Sequence, residues 1–276
     1  MGFRIATNAQ SLSAQRQIYG QRLEQGHELE KLAAGERIIR AADDAAGLAI
    51  SEKLKAEIRS TSQATRNAQD AISLVQVAEG GLNEVGNILI RMRELSIQAA
   101  SDTVGESERG FIDKEIQQLK TEVERISQST QYNGVHLLNG EGEPLEFQVG
   151  TGPDPDRDRI AYDTSAQNAT TSALQIESMD TLTKEAAQTN LDILDEAIKT
   201  VSSNRADFGA IQNRLQSTIN NNMISHENLS AANSRIRDAD FALETSELTK
   251  RNILAQSSTA ALAQANSNNM LALKLL

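Results

Sequence analysis

The positions of proline constrain this chain more than any other feature. All three prolines, Pro144, Pro153 and Pro155, lie within one short stretch. Proline is the strongest helix breaker, because its ring removes an N–H donor and clashes with the preceding helical turn. Residues 1–143 and 156–276 are therefore free to form long helices. The pattern predicts two helical arms joined by one irregular middle segment.

The apolar residues of the arms favour a narrow helical bundle. The chain has 276 residues, yet only 3% are aromatic and tryptophan is absent. Leu, Ile, Val and Ala supply the apolar content, which suits a core one or two side chains wide. The predicted fold class is mainly α, a long antiparallel helical rod or coiled-coil bundle with a small β-hairpin region.

Charge and cysteine content argue against several functional classes. The formal net charge is −11 and the pI is about 4.9, which disfavours binding to nucleic acid or to an anionic membrane surface. With no cysteine, neither disulfides nor thiolate metal sites are expected. No stretch approaches the length of a membrane span, and residues 1–8 lack the apolar region of a cleaved secretory signal.

The clearest periodicity predicts a coiled-coil seam across residues 64–99. Apolar residues recur at alternating steps of four and three, which is the spacing of a helix that packs along one face. The seam positions are Ala64, Ala68, Ala71, Val75, Ala78, Leu82, Val85, Leu89, Met92, Ser96 and Ala99. Residues 101–105 then predict a turn, since they combine N-cap candidates with a glycine.

Two further stripes predict that other helices join the same bundle. One passes through Ile112, Ile116, Leu119, Val123 and Ile126. The other runs through the carboxyl arm at Leu191, Leu194, Ile198, Val201, Arg205, Phe208, Gln212, Leu215, Ile219, Asn222, His226, Leu229, Asn233 and Ile236. The second stripe has more polar positions, so its buried face is expected to be narrower.

The chain ends carry weaker helical stripes. The predicted packing positions at the ends are Ile5, Leu12, Leu23, Phe241, Leu248, Leu262 and Leu276. Small and amide residues occupy many of the neighbouring places. A helix with so little to bury is marginal in water, so both ends are predicted to be mobile in the monomer and to fold against partners.

The middle segment has the texture of short strands and turns. The Asn133-Gly134 and Asn139-Gly140 pairs mark turns around the extended runs 135–138, 145–149 and 159–162. One or two β-hairpins are predicted at about 135–165. Residues 163 to about 173 are rich in Thr, Ser, Ala, Asn and Gln, which is typical of a surface connection.

No pattern in the chain points to catalysis or to a bound cofactor. His27, His136 and His226 are far apart in sequence, and the adjacent Asp43 and Asp44 would diverge by about 100° on a helix. Neither a phosphate-cradling glycine loop nor a nucleophile elbow is present. The sequence predicts a protein that is not an enzyme and has no catalytic, cofactor-binding or metal-binding residues.

Several blocks of the sequence resemble bacterial flagellins. Residues 37–50 (RIIRAADDAAGLAI) are similar to the signature near the amino end of that family. Residues 66–71, 77–81, 91–99 and 131–134 resemble further blocks in the same order, and residues 234–244 and 262–266 resemble the carboxyl motif. Ile39 and Ala6 stand where the family usually has Asn, and the chain lacks the frequent final basic residue.

The resemblance implies a domain organisation. Residues 1–43 and 239–276 would form an inner domain of paired terminal helices, and residues 44–238 a rod domain that carries the β-hairpins. Only residues 140–190 are available for the variable outer domains of larger members. The resemblance therefore implies a short form without such domains.

The resemblance also implies roles for two groups of residues. The first group, at the joint between the domains, is Arg37, Arg40, Asp43 and Asp44, the candidates for charge pairs between subunits. A simpler interpretation of the joint is a helix-to-helix connection with an Asp N-cap. The second group, Arg91, Leu95 and Glu115, falls at the family's determinant for recognition by Toll-like receptor 5, although it can also be interpreted as part of two helix surfaces.

The expected function is a structural subunit that polymerises into the flagellar filament for swimming motility. The implied partners are other copies of the chain, a flagellar export chaperone, and hook-associated and cap proteins. The implied location is extracellular, after secretion by type III export without signal cleavage. A hook–filament junction protein of the flagellin-related type is an alternative, and a cytoplasmic helical signalling hairpin is a third interpretation, which predicts stable helical ends.

Overall fold

The computed structural model describes residues 8–141 and 144–274. It confirms the predicted mainly helical fold class. The α-helices are α1 (Ala9–Ala34), α2 (Ala45–Ala99), α3 (Glu106–Ser129), the short α4 (Pro155–Asp158), α5 (Lys184–Arg237) and α6 (Phe241–Lys274). The strands are β1 (Gln131–Tyr132), β2 (Val135–His136), β3 (Leu145–Gln148) and β4 (Arg159–Tyr162).

The prolines lie where the helices give way to strands. Pro144 directly precedes β3, and Pro155 is the first residue of α4, where its missing N–H costs no helical hydrogen bond. The Asp154 side chain caps α4 by accepting a hydrogen bond from the Asp156 N–H at 3.1 Å. The proline-free arms contain the two longest helices, as the sequence predicted.

Two antiparallel strand pairs form the β region. Strands β1 and β2 join through Asn133 and Gly134, which both have positive φ angles, of 49° and 83°. Positive φ at both central residues is typical of the tight turn that matches the twist of a hairpin. Strands β3 and β4 pair over four residues, with Phe147 opposite Ile160.

The chain divides into two compact units. Unit 1 comprises residues 1–58 and 228–276, and unit 2 comprises residues 59–227. This division lies inside helices α2 and α5, further from the chain ends than the boundaries at 43/44 and 238/239 expected from the sequence. Helical hydrogen bonding is continuous through the division at 58/59 and 227/228, so no composition signal marks it.

Unit 2 has a continuous hydrophobic core. All eleven predicted seam positions from Ala64 to Ala99 are buried, including the polar Ser96, whose hydroxyl donates to the Met92 carbonyl at 2.9 Å. Residues of α3, the hairpins and α5 complete the core. The rings of Tyr162 and Phe208 stack at its centre, with their centroids 5.6 Å apart.

The predicted stripe on α5 is wrong at one position. Arg205 is exposed, whereas its neighbour Asn204 is buried. Burying an unpaired guanidinium costs far more than burying a small amide, so the contact row of the helix passes through Asn204 instead.

The connection before α5 is also different from the prediction. Residues 163–173 were expected to lie on the surface, but Thr164, Ala169 and Thr170 are buried. Helix α3 stabilises this buried segment, because its Glu124 carboxylate accepts hydrogen bonds from the N–H and hydroxyl of Thr171, at 2.9 and 2.8 Å. The Thr171 N–H correspondingly holds the pKa of Glu124 below its usual value.

Candidate functional site

The joint between α1 and α2 is held by backbone hydrogen bonds to the end of α5. Gly35 ends α1 in the left-handed conformation, with φ of 69°, and its N–H donates to the Lys31 carbonyl at 2.8 Å. The next residues pair with the other arm of the chain. The Arg37 N–H donates to the Arg237 carbonyl at 2.6 Å, and the Ala239 N–H donates to the Gly35 carbonyl at 3.0 Å.

Arg237 is the charged centre of the joint. Its guanidinium forms ion pairs with Glu52 at 2.5 Å and with Glu36 at 3.0 Å, and its side chain is largely buried. These carboxylates raise the pKa of Arg237, mainly through the hydrogen bond to Glu52. Sequence reasoning missed this residue as a site, although it lies within the carboxyl block that resembles the flagellin motif. Its partners lie in the other arm of the chain, so no local spacing signals them.

The two aspartates of the joint act as local caps. Asp43 accepts hydrogen bonds from the N–H groups of Ile39 and Arg40, at 3.1 and 2.9 Å, and lies 2.9 Å from the His27 ring. The Arg40 N–H is the main cause of the lowered pKa of Asp43. Asp44 accepts from the Gly47 N–H at 2.8 Å, directly before α2.

Within the chain, the joint is therefore a helix-to-helix connection with aspartate caps, which is the simpler of the two interpretations of its sequence. A methyl group at Gly47 would lie only 2.8 Å from Ile38 Cδ1, so the glycine permits close packing there. The two arginines are exposed: Arg37 donates to the Ile236 carbonyl at 2.7 Å, and Arg40 pairs with Glu30. The role of all four residues in charge pairs between subunits stays a prediction.

Among the described side chains of helices α1 and α6, the buried ones are polar, whereas apolar side chains such as Ile18 and Leu248 are only partly buried. On α1 the buried residues are Ser11 and Glu28. Gln25 of α1 donates to the Asn252 side chain of α6 at 2.5 Å. Among the described residues of unit 1, the only buried hydrophobic side chain is Ile38. This helix pair consequently has almost no apolar core of its own.

The predicted apolar stripe of α1 instead faces outwards. The predicted packing residues Leu12 and Leu23 are 54% and 59% exposed, and Tyr19 between them is 68% exposed. We call this surface the α1 stripe. On α6 and at its start, Phe241, Leu243 and Ile253 are exposed, whereas Leu248 and Leu262 are partly buried. Ile5 and Leu276 lie outside the described residues. The predicted mobility of the chain ends in the monomer stays a prediction.

A pair of buried carboxyl groups lies between α1 and α6. Glu28 and Glu244 are 5% and 7% exposed, and each carboxyl group shifts the pKa of the other through a hydrogen bond. The pKa of Glu244 is raised by Glu28 and by burial. The pKa of Glu28 is lowered, mainly by the bond to Glu244, with help from Lys31 at 3.6 Å and Arg251 at 3.5 Å. The two carboxyls can thus share one proton.

This pair predicts that the α1–α6 contact weakens as the pH rises. A carboxyl with a raised folded pKa adds stability below its unfolded pKa, and that contribution is lost as the pH rises through the folded pKa. The pKa of Glu28 is lowered instead, so the stability that Glu28 contributes is lost only as the pH falls. We expect Glu244→Gln to keep the hydrogen-bond donor and the volume of the protonated acid. At pH 8 the amides of α1 and α6 in this variant should therefore retain the hydrogen-exchange protection that they show in the native protein at pH 5. A native protein equally protected at both pH values would contradict this.

The three residues of the predicted receptor determinant do not share one environment. Arg91 and Glu115 are exposed and form an ion pair at 2.9 Å, and Arg91 also contacts Glu94 at 3.1 Å. Leu95 is 3% exposed and belongs to the core of unit 2. It cannot contact a partner directly while that core is intact. The receptor role of this group stays a prediction.

Within residues 8–141 and 144–274, no group of three or more His, Asp or Glu is arranged to hold a metal ion. None of the helices described there is both long and apolar enough to cross a membrane.

Comparisons with known proteins match both arms of the chain. The bacterial flagellin N-terminal helical region matches residues 5–143, and the bacterial flagellin C-terminal helical region matches residues 191–276. The chain is 47% identical over 275 residues to the flagellin of Halalkalibacterium halodurans, with 99% of each chain covered. It is 44% identical over 277 residues to the flagellin of Bacillus subtilis, with 90% of this chain and 91% of the other covered.

A solved structure agrees with these matches. The crystal structure of Bacillus cereus flagellin has a TM-score of 0.50 and 33% identity to this chain, covering 57% of this chain and 88% of the other. The flagellar filament 33 kDa core protein of Treponema phagedenis is 40% identical over 283 residues, with 99% of each chain covered.

The helical fold and the exposed α1 stripe together define the class of protein, which is a helical structural subunit. The chain belongs to the bacterial flagellin family. It is the short form that the sequence predicted, and its predicted function as a filament subunit is confirmed. The relatives give no support to the hook–filament junction alternative.

Proposed function

We propose that this flagellin assembles by burying the α1 stripe against neighbouring copies in the filament. The observation that carries the proposal is the position of Leu12, Tyr19 and Leu23, which are exposed on a helix whose buried side chains are polar. Such side chains gain about 1.5–3 kcal/mol each when they move from water to an apolar contact. Neighbouring copies of the chain can supply that contact on the exposed side of α1.

The same observation explains why growth would continue without limit. A subunit that binds through two different faces, related by a rotation that does not close, forms an open helical polymer. The terminal helices have little apolar surface buried within the chain, so their largest gain in burial comes on joining the filament. Assembly and the full stability of these helices are then coupled.

Family membership supports further partners and a route to the outside. The subunit would leave the cell through the flagellar export channel with the help of a chaperone, and would add to the filament beneath a cap protein, beyond the hook-associated proteins. The finished polymer would be extracellular. The absence of cysteine from the sequence is compatible with passage as an unfolded chain.

Seeded growth tests this function. Purified subunits mixed with short filament seeds in a kosmotropic salt are expected to elongate the seeds until the free subunits are consumed. Electron microscopy of filament length against subunit concentration measures this directly. A protein of the junction type would add only a short zone and stop, and that result would contradict the proposal.

A further inference from the structure

We propose that unit 2 binds a phosphate group, either as the free ion or as a phosphate monoester, in a cavity lined by three arginines. The cavity has a volume of about 350 Å³ and lies between α5 and the segment from α4 to β4. Arg157 and Arg159 line it from one side, and Arg214 lines it from α5. No other role described above for this protein uses these residues.

Two of the three guanidinium groups are free to bind a ligand. Within the described part of the chain, neither Arg157 nor Arg214 uses its guanidinium in a hydrogen bond or an ion pair, and both side chains are exposed. An arginine offers a planar fork of donors that matches the oxygens of a phosphate group. Two unpaired guanidinium groups at one cavity supply the hydrogen-bond donors and the positive charge that a doubly charged anion needs.

The third arginine is fixed in place by its neighbours. Arg159 Nη1 pairs with Glu146 at 2.7 Å, and its Nε donates to the Gln148 side chain at 3.3 Å. Both partners lie on the neighbouring strand β3, where Gln148 is directly opposite Arg159. These bonds hold the guanidinium at the cavity wall and leave Nη2 available, so the group can donate to a ligand without the entropy cost of ordering a free side chain, while Glu146 compensates its charge.

Uncharged donors on α5 complete the lining. Asn213 and Ser217 have exposed side chains that can donate to a ligand oxygen. Thr218 also lines the cavity, but its hydroxyl already donates to the Arg214 carbonyl at 2.9 Å. This leaves the Thr218 oxygen as an acceptor, which fits the hydroxyl of a protonated phosphate or of an ester's organic part.

The charge balance of the cavity differs from that of the whole chain. The chain has a formal net charge of −11, which repels anions in general. The lining contains three arginines and one carboxylate, that of Asp156, and Glu146 beside the cavity compensates Arg159, so two unpaired arginines face that one carboxylate. A local excess of positive charge on an acidic protein favours a small anion that enters the cavity over a large polyanion that must also approach the surrounding surface.

The test is a titration of the dilute full chain at constant ionic strength, followed by backbone amide NMR. Inorganic phosphate and glucose 6-phosphate are the two probes. We expect saturable shifts around Asn213 to Thr218, and at least about a tenfold loss of affinity in the double variant Arg157→Gln/Arg214→Gln, since two charge-assisted contacts are removed. Tighter binding of the sugar phosphate would identify an ester as the preferred ligand, weaker binding would identify the free ion, and equal binding would show that the phosphate group alone is recognised.

A matched control separates a site from a general charge effect. Arg66→Gln/Arg125→Gln removes two exposed arginines of unit 2 that do not line the cavity, so it changes the net charge equally. The proposal is overturned if neither probe gives saturable shifts, or if the two double variants bind with equal affinity, whether at the native level or below it. It is also overturned if phosphate fails to bind while the cavity variant alone fails to elongate seeds, because the arginines would then serve an acidic surface of a neighbouring copy.

Discussion

Replacing Leu12 with glutamate is expected to stop filament growth while the isolated subunit keeps its fold. Leu12 is 54% exposed on the α1 stripe, so the new carboxylate remains in water in the monomer and costs little there. In a filament that buries the stripe, every subunit would have to desolvate an unpaired charge. That cost is at least several kcal/mol per contact, so seeded elongation should slow by about a hundredfold or more.

The control for this variant is Gln17→Glu, which makes the same charge change on an exposed position of the same helix. It should elongate seeds at nearly the native rate, because Gln17 does not belong to the stripe. Circular dichroism of both variants should match that of the native chain. If Leu12→Glu grew filaments normally, the α1 stripe would not be an interface and the proposed mode of assembly would be wrong.

Replacing Phe208 with alanine is expected to destabilise unit 2 more than any change on its surface. The Phe208 side chain is fully buried and stacks on Tyr162, whose hydroxyl donates to the Leu137 carbonyl at 2.9 Å. Removing the ring leaves a cavity where α5 meets the β region. The loss should be about 3–5 kcal/mol in the free energy of unfolding, read from the urea midpoint and slope.

Phe111 provides a matched control for this substitution. It is 69% exposed on α3, where its ring lies 5.8 Å from the Lys114 ammonium. The contribution of such an exposed contact is small, so Phe111→Ala should change the free energy of unfolding by about 0.5–1 kcal/mol at most. Equal effects of the two substitutions would mean that Phe208 does not lie at the centre of the core as described.

The helices and the core seam of unit 2 could be predicted from the sequence because their signals are local. Clustering of proline marks where helices cannot continue, and alternating steps of four and three mark the face that packs. Every predicted seam position from Ala64 to Ala99 is buried as a result. The hairpin turn at Asn133-Gly134 was predictable for the same reason, since both residues tolerate the positive φ angles found there.

Features that depend on distant partners could not be predicted. The burial of Thr170 depends on the Glu124 carboxylate of α3, which satisfies the neighbouring backbone. The role of Arg237 depends on Glu36 and Glu52, which lie in the opposite arm. From composition alone, the segment around Thr170 looks like a surface loop. Composition likewise does not distinguish Arg237 from the other basic residues of its block.

At the chain ends the sequence determined which residues are apolar, and the tertiary structure decided what those residues face. The spacing of Leu12, Tyr19 and Leu23 places them on one side of a helix whatever that helix packs against. In the folded chain, α6 takes the opposite side of α1 through Gln25 and Glu28, so the apolar side remains exposed. Helical periodicity follows from local backbone geometry. Which side of α1 packs against α6 depends instead on contacts between distant parts of the chain, and only the folded structure shows those contacts.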